Sequence, residues 1–424
     1  MPTKEEVRLR PYISFLIKNK TLRYSEFRSY LAMRIALILA LNMQMTIVAY
    51  MVYQLTKDPL SLGMIGICEV IPAIGFSFFT GHIADQNEKR NLLMWCIIGF
   101  MVTSVIYIGL SIPSFQQWAG ISTTVWLMYA TVFIGGATRA FASPANFSLM
   151  GLLVPRKHYA NAATWSSTAW QLGAVIGPLL GGVVMAASDY TISYLSVFII
   201  HLVSLLALLK ITRKPLTSKP TDPMLKSLKE GLKFVFSTQV IFAALALDMF
   251  AVLFGGAVAL LPVYATDILN VGEVGFGWLR AAPGIGAIIT LFTLSMVPLK
   301  TNAGKKLLLS LAGFGISIII FGISTNFWLS FAMLLLSGAL DGVSVVIRWT
   351  ILQLYTPDNM RGRVAAVNTM FISSSNELGA AESGFTARLM GTVTAVVFGG
   401  FMTLGVVGVT WWKAPKLRKL ELNE

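Results

Sequence analysis

Apolar stretches of twenty residues or more recur along this chain almost end to end, and that recurrence constrains its fold more than any single motif does. A hydrocarbon core about 30 Å thick is crossed by about 20 apolar residues in a helix. Windows of that kind fall near 28–55, 60–81, 91–112, 122–150, 160–187, 191–210, 237–268, 275–298, 306–324, 327–354, 363–389 and 391–412. Twelve of them predict an all-α membrane protein, because a spanning helix satisfies its backbone polar groups internally where lipid offers no partner. Charged residues make up only 12% of the 424, against about 25% in soluble domains.

A net charge of +14 taken alone fits a nucleic-acid binder, so the placement of the 33 Lys and Arg decides the matter. Twenty-seven fall in the N-terminal stretch, in alternate loops (89–90, 156–157, 210–233, 300–306 and 361–363) and in the tail. Four lie inside the apolar windows, and only Lys57 and Arg388 occupy the opposite loops. By the positive-inside rule the basic loops and both termini are expected in the cytoplasm. The basic character is thus that of a membrane protein, and no nucleic-acid partner is expected. The first residues lack the short apolar core and small-residue cleavage site of a signal peptide, so we expect nothing to be removed and place the chain in the inner (plasma) membrane.

One long polar interruption, 211–233, carries Pro215, Pro220 and Pro223 and reads as a linker. Its second part, Met224 to Phe236, has the apolar spacing of a surface helix. The expected organisation is a cytoplasmic segment 1–26, a six-helix bundle 27–210, a linker 211–235, a second six-helix bundle 236–413 and a tail 414–424. For residues 1–26 an inner-leaflet helix and a plain extension both fit. Internal similarity supports two halves. Gly66, Glu69, Pro72, Ile74 and Gly75 match Gly277, Arg280, Pro283, Ile285 and Gly286, while Gly136 and Pro155 match Gly338 and Pro357. Parallel six-helix repeats are the architecture of alternating-access carriers, with the substrate near the midplane between halves.

Residues 81–90 read Gly-His-Ile-Ala-Asp-Gln-Asn-Glu-Lys-Arg, which resembles the loop signature of the major facilitator superfamily. The resemblance implies a conformational latch made by Gly81, Asp85, Lys89 and Arg90. The chain departs from the signature at Gln86, where Arg is usual, and at Glu88, where Gly is usual; the counterpart between Pro298 and Lys306 has no aspartate. Gly173, Gly177, Pro178, Gly181 and Gly182 are similar to the glycine-proline signature of the superfamily's exporters, and the same residues also suit plain tight helix packing. Leu153-Val154-Pro155-Arg156 and the stretch 357–364 resemble the enterobactin-exporter branch, which includes macrolide-efflux proteins. The branch implies a monomer.

Charges inside a membrane are costly, about 2.5–3.5 kcal/mol at a helix centre by insertion scales, and so mark pathways or structural pairs. Those retained are Arg34, Arg139, Arg280 and Arg348 against Glu69, Asp248, Asp341, Glu377 and Glu382. Of these, Glu69, Arg139, Asp248, Arg280, Asp341, Arg348 and Glu377 are the candidates for coupling or substrate binding. Arg139 matches the fourth-helix arginine that the resemblance associates with proton coupling. Its repeat partner is Asp341, and Glu69 and Arg280 are likewise repeat partners of opposite sign, so complementary charges across the two halves are expected. Glu377 and Glu382, five apart, point about 140° away from each other, so one lines a cavity more easily than both. Tyr50, Trp165, Trp170, Trp278 and Trp349 are candidates for stacking on an aromatic substrate, or for packing.

The function expected is export of a small organic molecule, siderophore-like or drug-like, by proton antiport. The alternatives are a lipid or lysolipid carrier and a metal-ion exporter. Against the last, His82 and His158 stand in loops and His201 stands alone in the sixth span, so no metal site is expected. Cys68 and Cys96 fall within spans and read as packing. With no phosphate-binding loop of the ATPase type, no cofactor and no enzymatic activity are expected.

Overall fold

The computed structural model describes residues 20–214, 224–296, 301–357 and 360–421. Most of the segment 1–26 therefore lies outside the described residues, as do 215–223 of the linker. Every regular element among the described residues is helical. Twelve long helices run as α1 Ser25–Thr56, α2 Pro59–Gln86, α3 Lys89–Ser111, α4 Ile121–Leu153, α5 Tyr159–Ala187, α6 Tyr190–Leu209, α7 Gln239–Phe254, α8 Gly272–Met296, α9 Ala303–Ile323, α10 Phe327–Tyr355, α11 Arg361–Met390 and α12 Thr392–Lys413. The amphipathic part of the linker forms a helix, Met224–Ser237.

Polar residues at the loop ends start these helices by accepting hydrogen bonds from first-turn amides that have no partner within the helix. Asp58 accepts from the Leu60 amide, Asp189 from Ile192 and Asn326 from Leu329. On the basic face Glu88, one of the two departures from the loop signature, accepts from the amides of Arg90 and Asn91 and caps α3. It also accepts from the Lys214 amide, tying the start of the linker to the same point.

Helix pairing repeats with a shift of six. Within the first half α1 packs on α5 and α6, α2 on α4, and α3 on α4 and α6; in the second half α7 packs on α11 and α12, α8 on α10, and α9 on α10 and α12. The halves join through α2 with α11 and α5 with α8, which exchange under the same shift. The repeat positions legible in the sequence meet one another. A Cβ on Gly136 of α4 would stand 2.9 Å from Pro72 of α2, and one on Gly338 of α10 would stand 2.0 Å from the Pro283 carbonyl of α8. The four glycines of α5 divide their work: Gly173, Gly177 and Gly181 face Ile38, Asn42 and Thr46 of α1, whereas Gly182 faces Gly277 of α8.

Three features depart from the sequence expectation. The window 237–268 is not one helix: α7 ends at Phe254, breaks at Gly255 and Gly256, and resumes as short turns through Ile268. A Cβ on Gly255 would meet the Phe314 ring at 2.4 Å, and Phe254's carbonyl lies against Gly399 of α12, so the glycines let the chain turn against close neighbours. A short helix, Pro113–Ala119, precedes α4. And among the described residues eleven helices are long and apolar enough to cross a membrane; α11 is 30 residues long but too polar. It packs against α2 and α7 at the junction of the halves, where Asn368, Ser375 and Ser383 are buried.

Candidate transport pathway between the halves

Three apolar clusters set the shape of the pathway. One spans both halves near the face opposite the basic loops, joining Tyr50 and Val132 to Phe276 and Leu334. The other two are separate, one in each half toward the basic face: Phe27, Leu149 and Leu208 in the first half, Leu307, Ile351 and Val367 in the second. Among the described residues the halves are thus fused on one side of the membrane and parted on the other. Polar links reinforce the fused side. Tyr53 donates to Asp267, Gln54 donates to Thr266 at 3.3 Å, and Arg388 pairs with Asp58.

Above the parted region, four charged side chains from four helices converge. Glu69 of α2 pairs with Arg139 of α4. Glu377 of α11, from the other half, stands in the field of Glu69 and Arg139. Arg280 of α8 stands in the field of both carboxylates. Glycines one turn earlier on the same helix faces make this approach feasible. A Cβ on Gly66 would stand 2.6 Å from the Glu377 carbonyl, and one on Gly136 would stand 2.9 Å from that of Glu69. The Arg139 side chain keeps 42% of its surface accessible while Glu69 keeps 7%. A cleft lined by Gln44, Phe100, Tyr107 and Thr131 opens onto the pair.

A second charged group lies wholly in the other half. Arg348 of α10 donates through Nη1 to Asp248 of α7 at 2.5 Å, both side chains being almost fully buried. Its Nη2 stands 4.0 Å from Asp341, whose side chain keeps 37% of its surface. Side chains on a helix lean toward its N-terminus, so Arg348 reaches back past Ser344, to which its Nε donates, toward Asp341 two turns away.

Of the residues expected from the sequence, Glu69, Arg139, Arg280 and Glu377 come together, and Asp248, Asp341 and Arg348 form the second group. Arg139 and its repeat partner Asp341 are held by counter-charges in their own halves, while Glu69 and Arg280 interact across the interface. Arg34 donates to the Ser166 carbonyl of α5. Tyr50 is packed against Phe276 at 5.3 Å between ring centres, whereas Trp170, Trp278 and Trp349 are exposed. In the loop signature, Gly81 and Asp85 lie outside the residues whose side chains are described; Lys89 is buried, and Arg90 donates to the Leu209 carbonyl. Sequence reasoning missed the Tyr53–Asp267 and Asp58–Arg388 links, because polar residues at window edges read as loop solvation. It also missed a buried network in which Gln44 and Ser104 tie α1 to α3 and Ser104 meets His201 of α6.

Residues 31–380 match the family model described as Major Facilitator Superfamily. Among curated proteins, the chain is 26% identical to the enterobactin exporter EntS of Shigella flexneri over 333 residues, 78% of this chain and 77% of that protein. The EntS of Escherichia coli O1:K1 matches over the same lengths at the same identity. Among solved structures, a D-xylose-proton symporter superposes with a TM-score of 0.71 at 14% identity, covering 94% of this chain and all of that one. A bacterial homologue of the lysosomal transporter Spinster gives 0.66 at 14% identity, covering 92% and 96%.

Proposed function

We propose that this chain, which belongs to the major facilitator superfamily, exports a small organic molecule of the siderophore or drug class in exchange for protons. It is a multi-pass membrane transporter; the substrate, the coupling ion and the orientation are our reading. The observation that carries this reading is the convergence of Glu69, Arg139, Arg280 and Glu377 from both halves, with the Arg139 guanidinium left accessible. Two guanidinium groups beside a carboxyl pair favour a cargo bearing acidic or catecholic groups, since planar bidentate contact to such oxygens is what Arg provides. Two carboxyls that repel each other favour keeping one of them protonated, because neighbouring like charges disfavour ionisation of both. That gives an exchange of cargo for proton a physical basis.

The division into bundles 27–210 and 236–413 joined by 211–235, with basic loops and both termini in the cytoplasm of a bacterial inner membrane, belongs to the same reading. The parted side then faces the cytoplasm, from which an exporter loads. We take the working unit to be a monomer. The test is flux in inside-out proteoliposomes with an acidified lumen, using enterobactin and erythromycin as cargo probes. Accumulation in the lumen that alkalinises it and collapses with a protonophore is expected. Flux of every probe that ignores the pH gradient, or transport of lysolipids alone, refutes the proposal.

A further inference from the structure

We propose that the triad of Asp248, Arg348 and Asp341 is a proton-binding site separate from the inter-half cluster, with Asp341 carrying a second exchanged proton. The inference rests on the proton-coupled reading above. Two carboxyl groups share one guanidinium, so with both ionised the group carries one uncompensated negative charge inside the membrane, a state that low polarity penalises. The pairing is unequal. Asp248 holds Arg348 at 2.5 Å in near-complete burial, while Asp341 stands 4.0 Å away and partly accessible. Oδ1 of Asp248 is buried and has no hydrogen-bond partner, so this carboxylate depends on Arg348, which leaves less of the guanidinium to hold an ionised Asp341.

Arg348 lies within ion-pair reach of both Asp248 and Asp341, and the two carboxylates act on each other. From the elements packed around α10, Thr290 of α8 and Ser344 of α10 itself contribute uncharged hydroxyls, which donate to the Ala339 carbonyl and accept from Arg348 respectively. Arg280 of α8 and Glu377 of α11 are engaged in the other cluster. The ligand that fits is therefore a proton. A metal cation of any size would sit beside a fixed guanidinium, whereas a proton adds to a carboxylate without needing space.

On release, the O–H bond of Asp341 breaks, the electron pair stays on the carboxylate and the proton passes to water in the accessible space. Nη2 of Arg348 then closes the remaining gap onto the new anion while Nη1 keeps Asp248. Proton uptake reverses both movements. The guanidinium stays charged throughout and Asp248 stays its anion, so the triad alternates between neutral and singly negative, and Arg348 reports that change along two turns of α10.

pH-difference infrared spectroscopy of the full chain in lipid nanodiscs tests this. A carboxylic C=O band that titrates in the wild type is expected to lose one component in Asp341→Asn and to regain it, shifted, in Asp341→Glu, which guards against a variant that simply misfolds. Sodium at constant pH is expected to leave the band alone. In proteoliposomes loaded with enterobactin, Asp341→Asn is expected to abolish accumulation driven by a pH gradient but to retain exchange of labelled for unlabelled enterobactin. An unchanged band in Asp341→Asn, a band that follows sodium, or gradient-driven accumulation surviving in that variant overturns the inference. Wild-type flux indifferent to the gradient instead overturns the antiport reading on which it stands.

Discussion

Gly182 of α5 and Gly277 of α8 bring the two halves into backbone contact: a Cβ on Gly182 would stand 2.5 Å from the Glu273 carbonyl and 3.0 Å from the Gly277 Cα. Backbone atoms on both sides leave no side chain to yield, so any larger residue there must part the helices on the fused side. Overpacking costs about 1–3 kcal/mol, or roughly 5- to 150-fold in the ratio of parted to fused states. Gly182→Leu is therefore expected to open that side. Spin labels at Ser114→Cys and Thr325→Cys, exposed positions on that face, in a chain with Cys68 and Cys96 replaced by Ala, are expected to show a longer distance population than the glycine parent.

Two of the three polar links across the fused side differ in weight. Arg388 and Asp58 keep 55% and 28% of their side chains accessible, and exposed ion pairs contribute only about 0.2–1 kcal/mol. Tyr53 is buried and donates to a carboxylate, a bond of the kind that contributes about 1.5–3 kcal/mol. Tyr53→Phe is expected to lengthen the same label distance more than Arg388→Ala does, and added salt is expected to shrink the difference between Arg388→Ala and the parent, because screening weakens the ion pair that the parent keeps.

Removing Arg139 strands Glu69, which is buried, next to Glu377. Breaking a fully buried pair from one side costs about 3–5 kcal/mol; with Arg139 partly accessible, we expect nearer 1–2 kcal/mol from Arg139→Gln. Thermal unfolding in detergent is expected to show Glu69→Gln combined with Arg139→Gln to be more stable than Arg139→Gln alone. Gradient-driven export is expected to be lost in both.

The repeat is not symmetric at every matched glycine, and that gives a control experiment. A Cβ on Gly286 would lie 1.9 Å from the Leu335 carbonyl, whereas one on Gly75, its repeat partner, would meet nothing within 4 Å. Gly286→Ala is expected to lower the melting temperature and Gly75→Ala to leave it unchanged or raise it, since Ala is favoured over Gly within a helix by about 0.5–1 kcal/mol.

Much of this architecture was legible in the residues. The apolar windows located all twelve long helices, and the repeat positions Pro72, Gly136, Pro283 and Gly338 proved to be the points where α2 meets α4 and α8 meets α10. What was not legible shares a physical cause. The break at Gly255 and Gly256 lies within continuous apolar sequence, and hydropathy does not register a turn enclosed by Phe314 and Gly399. The weak apolar character of α11 reflects neighbours that no local window contains. Opposite charges at matched positions pointed to Glu69 and Arg280, which act on each other across the interface. They could not reveal that Arg139 is taken by Glu69 or that Arg348 stands between two aspartates, because such pairings depend on which helix faces turn toward each other.

The apolar cluster shared by both halves also gives the carrier a thermal signature. Parting it would hydrate residues such as Tyr50, Phe276 and Leu334, and hydration of apolar surface raises heat capacity and is opposed chiefly by solvent entropy near room temperature. The equilibrium between the two access states is thus curved in temperature. Cooling weakens the fused side, so the balance that governs loading and release is set partly by the water each vestibule admits.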